Sequence, residues 1–179
     1  MKREFHGLTL LNLLIALFII SLLLTIGIPN FVHLIHRAQR DNAYRELMRL
    51  IQFSRNQAVH HGQQVILCPS IDQHQCTSDW HHPLIIFVDS NSNETREEEE
   101  KLLQHRTLIK KNYPATIVWK ASGSLRYIRY QADGRTHNQN GRLTYCLQNT
   151  KTIYAAQVII YLTGRARRGS DEEEKIACS

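Results

Sequence analysis

The chain opens with an apolar segment that strongly limits what it can fold into. Residues 8–28 read LTLLNLLIALFIISLLLTIGI, and no Asp, Glu, Lys or Arg occurs between Phe5 and His36. As a helix, these 21 residues span about 30 Å, which is the thickness of a bilayer core. The run is longer than the roughly 7–15 apolar residues of a secretory signal peptide, and no small-residue cleavage site follows it. The segment therefore predicts a transmembrane helix over residues 8–28.

Two basic residues, Lys2 and Arg3, precede the apolar segment and set its expected orientation. Positive charge favours the cytoplasmic side, so we expect a single-pass protein with its N-terminus in the cytoplasm and the rest of the chain across the membrane. With 179 residues, the chain has room for one further domain of ordinary size. This organisation argues against a freely soluble cytosolic protein.

Beyond residue 28 the pattern stays helical but becomes amphipathic, with an apolar stripe and arginines on the other faces. Gly62 is placed to cap the helix, so we expect residues 29–61 to continue it and to pack on a sheet. Residues 62–179 contain short runs rich in β-branched and aromatic side chains, separated by turn residues. These runs predict strands over residues 64–68, 84–88, 115–120, 125–130, 142–147 and 156–162. The predicted fold class is α+β, a long N-terminal helix packed on a β-rich globular domain of antiparallel strands.

The start of the apolar segment resembles the signal of type IV prepilins. A short basic leader, residues 1–7, ends at Gly7, and Leu8 opens an unbroken apolar helix. The resemblance implies that prepilin peptidase removes the leader after Gly7 and methylates Leu8. The helix then stays in the mature protein, where it anchors the chain in the inner membrane before assembly and later contacts other pilin subunits. Asn12 stands where pilins usually carry Glu, which favours a scarce or terminal subunit over the bulk pilus protein.

The remaining chain resembles the GspH/FimT group of minor pilins and pseudopilins. The residues that carry this resemblance are Arg55-Asn-Gln-Ala58, Val65-Ile-Leu-Cys68-Pro69, Cys76, Trp80 and Ile86-Phe87-Val-Asp89-Ser-Asn91. The resemblance implies a type IV pilin-like fold, with a periplasmic globular domain that reaches the cell surface once the subunit enters the pilus. It leaves two functions open, DNA binding and a purely structural role.

Four cysteines, Cys68, Cys76, Cys146 and Cys178, all follow the apolar segment and therefore lie on the oxidising side of the membrane. An even number of cysteines in that compartment favours disulfides. Four cysteines allow three connectivities, and we favour Cys68–Cys76 with Cys146–Cys178. The first bond closes a short loop between neighbouring strands, and the second pins the C-terminal tail to a late strand. The two other connectivities and a zinc site are the alternatives.

The sequence contains no clear motif for a metal, a cofactor or catalysis. His74, His81 and His82 lie near the first cysteine pair, but the C-x₂-C and H-x₃-H spacings of zinc sites are absent. Residues 89–100 place oxygen-bearing side chains in register with a calcium loop, yet Glu94 replaces the required glycine. We prefer a solvated acidic hairpin tip for this segment. We predict no enzyme activity, no cofactor and no metal, with a membrane-anchored enzyme as a weaker alternative.

Positive charge is concentrated between residues 110 and 170, where eleven Lys or Arg stand against one acid, Asp133. Such asymmetry indicates a polyanionic partner. The strongest candidate motif for such a partner is Thr163-Gly-Arg-Ala-Arg-Arg-Gly169, which follows an apolar run. Its Gly164-Arg165-Ala166-Arg167 portion is similar to the G-R-x-R motif of FimT-type minor pilins, which bind DNA during natural transformation. The resemblance therefore implies DNA binding for uptake.

We predict that the guanidinium groups of Arg165, Arg167 and Arg168 contact phosphates, with Arg165 and Arg167 facing outward by alternation and Arg168 beside them. The residues expected to extend this surface are Arg126, Arg129, Arg135, Arg142 and Lys151. Binding to the phosphate backbone is independent of sequence and depends steeply on salt. In the alternative, the basic turn solubilises a hairpin or pairs with the acids of residues 171–174. The chain is then a structural minor pilin, or a type II secretion pseudopilin, that primes or caps the filament.

Overall fold

The computed structural model describes residues 10–109, 113–123, 125–136, 138–149 and 152–178. The predicted processing site at Gly7 and Leu8 and the predicted contact residue Lys151 lie outside these ranges. The chain divides into two compact units, Met1–Ala38 and Gln39–Ser179. The elements in chain order are α1 (Leu10–His61), β1 (Gln64–Pro69), β2 (Leu84–Asp89), β3 (Leu102–Arg106), β4 (Ala115–Ala121), β5 (Ile128–Tyr130), β6 (Gly141–Asn149), β7 (Thr152–Ile160), β8 (Ala166–Arg168) and α2 (Asp171–Ala177).

The described part of the first unit is the apolar portion of α1. Its large side chains are exposed, from Leu10 at 77% to Ile35 at 39%. The hydroxyls of Ser21 and Thr25 donate to carbonyl oxygens one turn earlier in the helix, both at 2.8 Å, so these polar groups are satisfied within it. By length and composition, α1 is the one described helix that is long and apolar enough to cross a membrane.

The second unit contains two four-stranded antiparallel sheets, and the first has the order β3-β2-β1-β5. The central strands β1 and β2 are buried at every position, which explains why their sequences are continuous apolar runs. Val65 and Leu67 of β1 join the main core. Ile66 and Phe87 lie in a second, smaller core on the opposite face of the sheet.

The second sheet has the order β4-β6-β7-β8. Its inner face contributes Leu143 and Val158 to the main core, together with Leu47, Leu50 and Ile51 of α1. Burial of these apolar groups is the main force that holds the residues of α1 beyond Ala38 on the sheets. The outer face of the second sheet carries α2, which is joined to it through a small buried cluster. The fold class is therefore α+β, as predicted.

The disulfides are Cys68–Cys76 and Cys146–Cys178, which is the pairing favoured above. The second bond ties the end of α2 to β6, where Ala155 of β7 completes the cluster. No group of three or more His, Cys, Asp or Glu side chains in the described residues is arranged to hold a metal.

Several elements differ from the sequence prediction. The short strands β3 and β8 were not predicted, because their polar sequences lack the β-branched and aromatic residues of the other strands. Helix α2 was treated as an acidic tail, although Ser170 and Glu173 form a capping box at its start. The strand β5 begins at Ile128, three residues later than expected.

The acidic segment of residues 89–100 forms the connection of the β2–β3 hairpin, and its interior residues are exposed or partly exposed, as expected, whereas its first and last carboxylates are buried. Asp89 is 1% exposed and accepts hydrogen bonds from the side chain of Gln64 and from the amide of Asn93. Glu100 is 6% exposed and accepts from the amide and the hydroxyl of Ser90. These bonds fix the two ends of the segment. They compensate the cost of burying the two carboxylates.

Candidate functional site

The hairpin of β7 and β8 carries the arginine motif. The amide of Gly164 donates to the carbonyl oxygen of Tyr161 at 2.8 Å. The amide of Tyr161 donates to the carbonyl oxygen of Arg165 at 2.9 Å. Residues 161–165 therefore form a tight turn. Gly164 has a φ of +74°, in the left-handed region that glycine adopts at little steric cost.

Gly164 also allows the turn to approach a second turn very closely. A Cβ atom built on Gly164 would lie 1.9 Å from the carbonyl oxygen of Gly134, so only glycine fits. The amide of Thr136 donates to the carbonyl oxygen of Leu162 at 3.2 Å, which fixes the two turns together. The glycine of the motif therefore positions the hairpin on the body of the domain.

Strand alternation determines where the three arginines of the motif point. Arg167 lies opposite Ile159 of β7, and Arg165 lies two residues earlier, so both project from the outer face of the second sheet. Arg168 lies opposite Val158, which belongs to the main core. Arg168 therefore projects from the other face, and not beside Arg165 and Arg167 as expected.

Arg167 is held by a carboxylate of α2. Its Nη1 and Nη2 atoms lie 3.0 and 3.2 Å from the two carboxylate oxygens of Glu173, and its Nε donates to the hydroxyl of Tyr161 at 2.6 Å. The side chains of Arg167 and Glu173 are 45% and 28% exposed. The expected alternative, pairing with the acids of residues 171–174, is thus the arrangement of Arg167.

Arg168 links β8 to both helices. Its Nε atom donates to the Glu174 carboxylate at 2.9 Å, and its guanidinium lies 4.9 Å from the ring centroid of Tyr44 on α1. A third contact, to Asp41, measures 3.5 Å. Glu174 is buried and also accepts from the backbone amide of Gln157 at 3.3 Å. These contacts give Arg168 a structural role in holding α2, β8 and α1 together.

A row of basic residues crosses the outer face of the second sheet. Lys120 of β4 lies directly opposite Arg142 of β6, Arg142 lies opposite Ile159, and Ile159 lies opposite Arg167. Residues opposite each other in neighbouring antiparallel strands project from the same face, and like charges in that position destabilise the pair. Lys120 was not among the predicted contact residues, because its place in the row depends on the register of distant strands.

Three cations on this face have no partner within the described part of the chain. Among the residues that the structure describes, Lys120, Arg142 and Arg165 make neither an ion pair nor a side-chain hydrogen bond. Lys120, Arg142 and Arg165 are all exposed. We call these three residues the open basic set.

A groove runs beside the open basic set. It encloses about 520 Å³, and its lining includes Lys120, Arg142, Tyr161, Arg167 and Glu173. Tyr161 is 43% exposed, with its ring centroid 5.9 Å from the guanidinium of Arg167. We call this cavity the basic groove. It combines two unpaired cations with an accessible aromatic ring.

Arg126 extends the row on the far side of Lys120. A second depression of about 300 Å³ is lined by both residues and by Trp119 and Trp80. Arg126 is exposed and has no ion pair within the described part of the chain. Positive charge therefore continues from the basic groove toward β5.

Two other predicted contact residues lie in different settings. Arg135 is in the turn that packs against Gly164, and its 70% exposed side chain lies 3.6 Å from the Asp133 carboxylate. Arg129 is in the first sheet, where it lies 3.3 Å from Glu94 and is 23% exposed. The structure thus brings Arg135 near the motif, whereas Arg129 does not line the basic groove.

The contact between Arg167 and Glu173 makes the carboxylate a stronger acid. The Arg167 guanidinium, followed by the backbone amide of Ser170, lowers the pKa of Glu173 from 4.5 to about 2. The stabilisation from this carboxylate is complete above about pH 4.5 and is lost as the pH falls toward about 2.

This shift predicts the outcome of a titration. Arg167→Ala is expected to return the pKa of Glu173 toward 4.5, because the largest cause of the shift is removed. NMR of the Glu173 carboxyl carbon across pH measures the midpoint directly. Arg165→Ala is the control, since Arg165 has no contact with Glu173. A midpoint that stays near 2 in Arg167→Ala contradicts the pairing.

Residues 43–164 match the family model described as type II transport protein GspH. The match covers more than half of the chain. The chain belongs to the GspH family. The matched region includes the second half of α1 and the strands through β7, and it stops at Gly164. The arginines of β8 and the whole of α2 in this GspH-family protein therefore lie beyond the family match.

Two crystal structures of the type IV minor pilin FimU from Pseudomonas aeruginosa PAO1 are similar to this GspH-family protein. The TM-scores are 0.52 and 0.51, at 17% sequence identity in both crystal forms. The similarity covers 76% and 74% of this chain and 92% and 94% of the FimU chain. No curated protein matches the sequence. The likeness shows the type IV pilin fold and so confirms the predicted fold class, and the match over residues 43–164 confirms the predicted family.

Proposed function

We propose that this GspH-family chain is a minor subunit of a type IV pilus that binds DNA without sequence preference during DNA uptake. The family and the fold support a filament subunit. The exposed apolar portion of α1 supports anchoring in the inner membrane, with the globular unit in the periplasm, and later packing against other pilin subunits. Removal of the leader by prepilin peptidase after Gly7 belongs to the same proposal.

The observation that carries DNA binding is the direct opposition of Lys120 and Arg142, neither of which is paired with a carboxylate of the described residues. Two like charges in opposite positions of neighbouring strands repel each other. A phosphate placed between them would remove the repulsion and accept hydrogen bonds from both. Arg165 projects from the same face and adds a third unpaired cation. Arg126 and Arg135 are candidates to extend the contact along the DNA backbone.

The contact residues in this proposal differ from those expected from the sequence. The proposed phosphate contacts are now the open basic set, which keeps only Arg165 of the three motif arginines. Arg167 and Arg168 are left out because they already have carboxylate partners. Ammonium and guanidinium groups contact phosphates whatever the base sequence. Three neutralised phosphates correspond to a slope of about −3 in log K against log salt, and two further contacts make it steeper.

The decisive experiment removes the open basic set. Substituting Lys120, Arg142 and Arg165 by Ala together is expected to weaken binding of a duplex roughly thirtyfold to hundredfold near 0.1 M salt. The salt slope is expected to become shallower by about 3. Fluorescence anisotropy of a labelled duplex, with the full chain in detergent micelles, measures both quantities.

A matched control separates a local contact from total charge. Arg45, Lys101 and Arg106 are exposed cations outside the basic groove. Their triple alanine variant loses the same formal charge, and we expect less than about one-fifth of the effect on the salt slope. Equal losses in the two triple variants would show that only net charge matters.

A structural role without DNA is the second candidate, and the ion pairs of Arg167 and Arg168 favour it. In that case the chain primes or caps a pilus or a type II secretion filament, and its basic face serves a neighbouring subunit. Such a subunit shows no salt-sensitive retention of DNA, while deletion of its gene abolishes piliation or secretion. Duplex binding that responds to the open basic set excludes this candidate.

A further inference from the structure

Glu173 occupies the position on Arg167 that a DNA phosphate would take. Both carboxylate oxygens contact the guanidinium, at 3.0 and 3.2 Å. This two-point geometry is the one in which arginine also binds phosphate. Glu173 lines the basic groove together with Lys120 and Arg142. Its carboxylate is therefore a negative charge fixed beside two unpaired cations.

The position of Glu173 is fixed by contacts on both sides of it. The amide of Ser170 donates to its carboxylate at 2.7 Å, and its own amide donates to the Ser170 hydroxyl at 3.3 Å. At the other end of α2, the disulfide of Cys178 with Cys146 ties the helix to β6. Glu173 is thus a positioned residue of the sheet surface rather than part of a free tail.

The two ion pairs between β8 and α2 differ in exposure. The Glu174 side chain that binds Arg168 is 5% exposed, and it also satisfies the amide of Gln157. The Arg167–Glu173 pair is open to solvent on both sides. Solvent-exposed ion pairs contribute little to stability, so an incoming anion can replace one partner without unfolding the surface. Only the Arg167 pair is therefore exchangeable.

We propose that Glu173 competes with DNA phosphate for Arg167 and so limits the affinity of the basic groove. The inference rests on the proposed DNA binding. In the unbound protein Glu173 neutralises Arg167, and it repels phosphates that approach Lys120 and Arg142. Loss of the Glu173 charge releases one further cation to the DNA. Each cation that neutralises a phosphate steepens the salt dependence by about 0.9 in the slope.

The test is Glu173→Gln in the full chain, because glutamine also serves in a capping box and keeps the start of α2 intact. We expect about threefold to tenfold tighter binding of a labelled duplex and a salt slope steeper by about 0.9. In Arg167→Ala with Glu173→Gln, the steeper slope is expected to disappear, since no cation is released. Glu172→Gln, an exposed residue of the same helix, controls for net charge and is expected to change affinity less than twofold.

The outcomes separate this inference from the function on which it rests. An unchanged affinity of Glu173→Gln, while the open basic set still determines binding, overturns the competition and leaves DNA binding intact. Equal gains in Glu172→Gln and Glu173→Gln, or a gain that persists without Arg167, also overturn it. If the open basic set has no effect on duplex binding, the proposed function itself fails.

Discussion

Gly164→Ala is expected to lower the free energy of unfolding by about 3 kcal/mol, from backbone strain and overpacking together. A φ of +74° disfavours any side chain, and the new Cβ would meet the Gly134 carbonyl oxygen at 1.9 Å. That oxygen cannot easily withdraw, because it accepts a hydrogen bond from Arg55 at 2.9 Å. The turn must therefore move as a whole, and Arg165 moves with it.

Guanidinium unfolding followed by tryptophan fluorescence measures this effect, because both tryptophans lie in the second unit. Gly123→Ala is the matched control: its φ is +91°, and no atom lies within 4 Å of the added Cβ. Strain without a clash is expected to cost only about 1–2 kcal/mol. Similar losses in the two variants would contradict the close packing at Gly164. Weaker duplex binding is expected for Gly164→Ala alone.

Removal of the Cys146–Cys178 disulfide is expected to have the largest effect on stability. The bond closes a separation of 32 residues, which corresponds to about 3.5 kcal/mol in the chain-entropy account. Alanine replaces each cysteine, because both side chains are buried and a hydroxyl would add an unsatisfied polar group. Without the bond, the seven residues of α2 have little helical stability of their own.

The other disulfide supplies the comparison. Cys68–Cys76 spans only 8 residues, so its removal by the same substitutions is expected to cost about 2.5 kcal/mol. Denaturant midpoints at equal slopes compare the two variants. Limited proteolysis adds a local readout, since cleavage within residues 171–178 is expected only after loss of Cys146–Cys178. A larger loss for the short loop would contradict the entropic origin of the difference.

The sequence was a good guide wherever burial is continuous or a terminus has a strong local cue. The strands β1 and β2 were located to within one residue, because both of their faces are buried and the apolar run shows their length directly. The end of α1 was located equally well, since Gly62 has the positive φ of a helix cap. The short edge strands β3 and β8 were not predicted. The sequence of β8, Ala166-Arg-Arg168, for example, carries no apolar signal.

In the candidate site, too, the sequence predicted what depends on neighbouring residues and missed what depends on the packed fold. Alternation was enough to place Arg165 and Arg167 on one face, because it depends on neighbouring residues only, although β8 itself was not predicted as a strand. The opposition of Lys120 and Arg142 depends on the register of β4 with β6. The contact of Arg168 with Tyr44 joins residues that are far apart in the chain. Pairings of this kind arise from the packed fold, and local patterns carry no information about them.

The buried Glu174 carboxylate has a consequence for how subunits coexist at high density. Strand β8 pairs with only Val158–Ile160 of the nine-residue β7. At the next residue of β7, the Glu174 carboxylate accepts a hydrogen bond from the amide of Gln157. An unpaired strand edge can pair with a strand of a neighbouring copy when the subunits are close together. Here a carboxylate and a short, cationic strand cover that edge from Gln157 to Ile160. Detachment of the C-terminal helix is therefore expected to leave the amide of Gln157 open to pairing with a strand of a second copy.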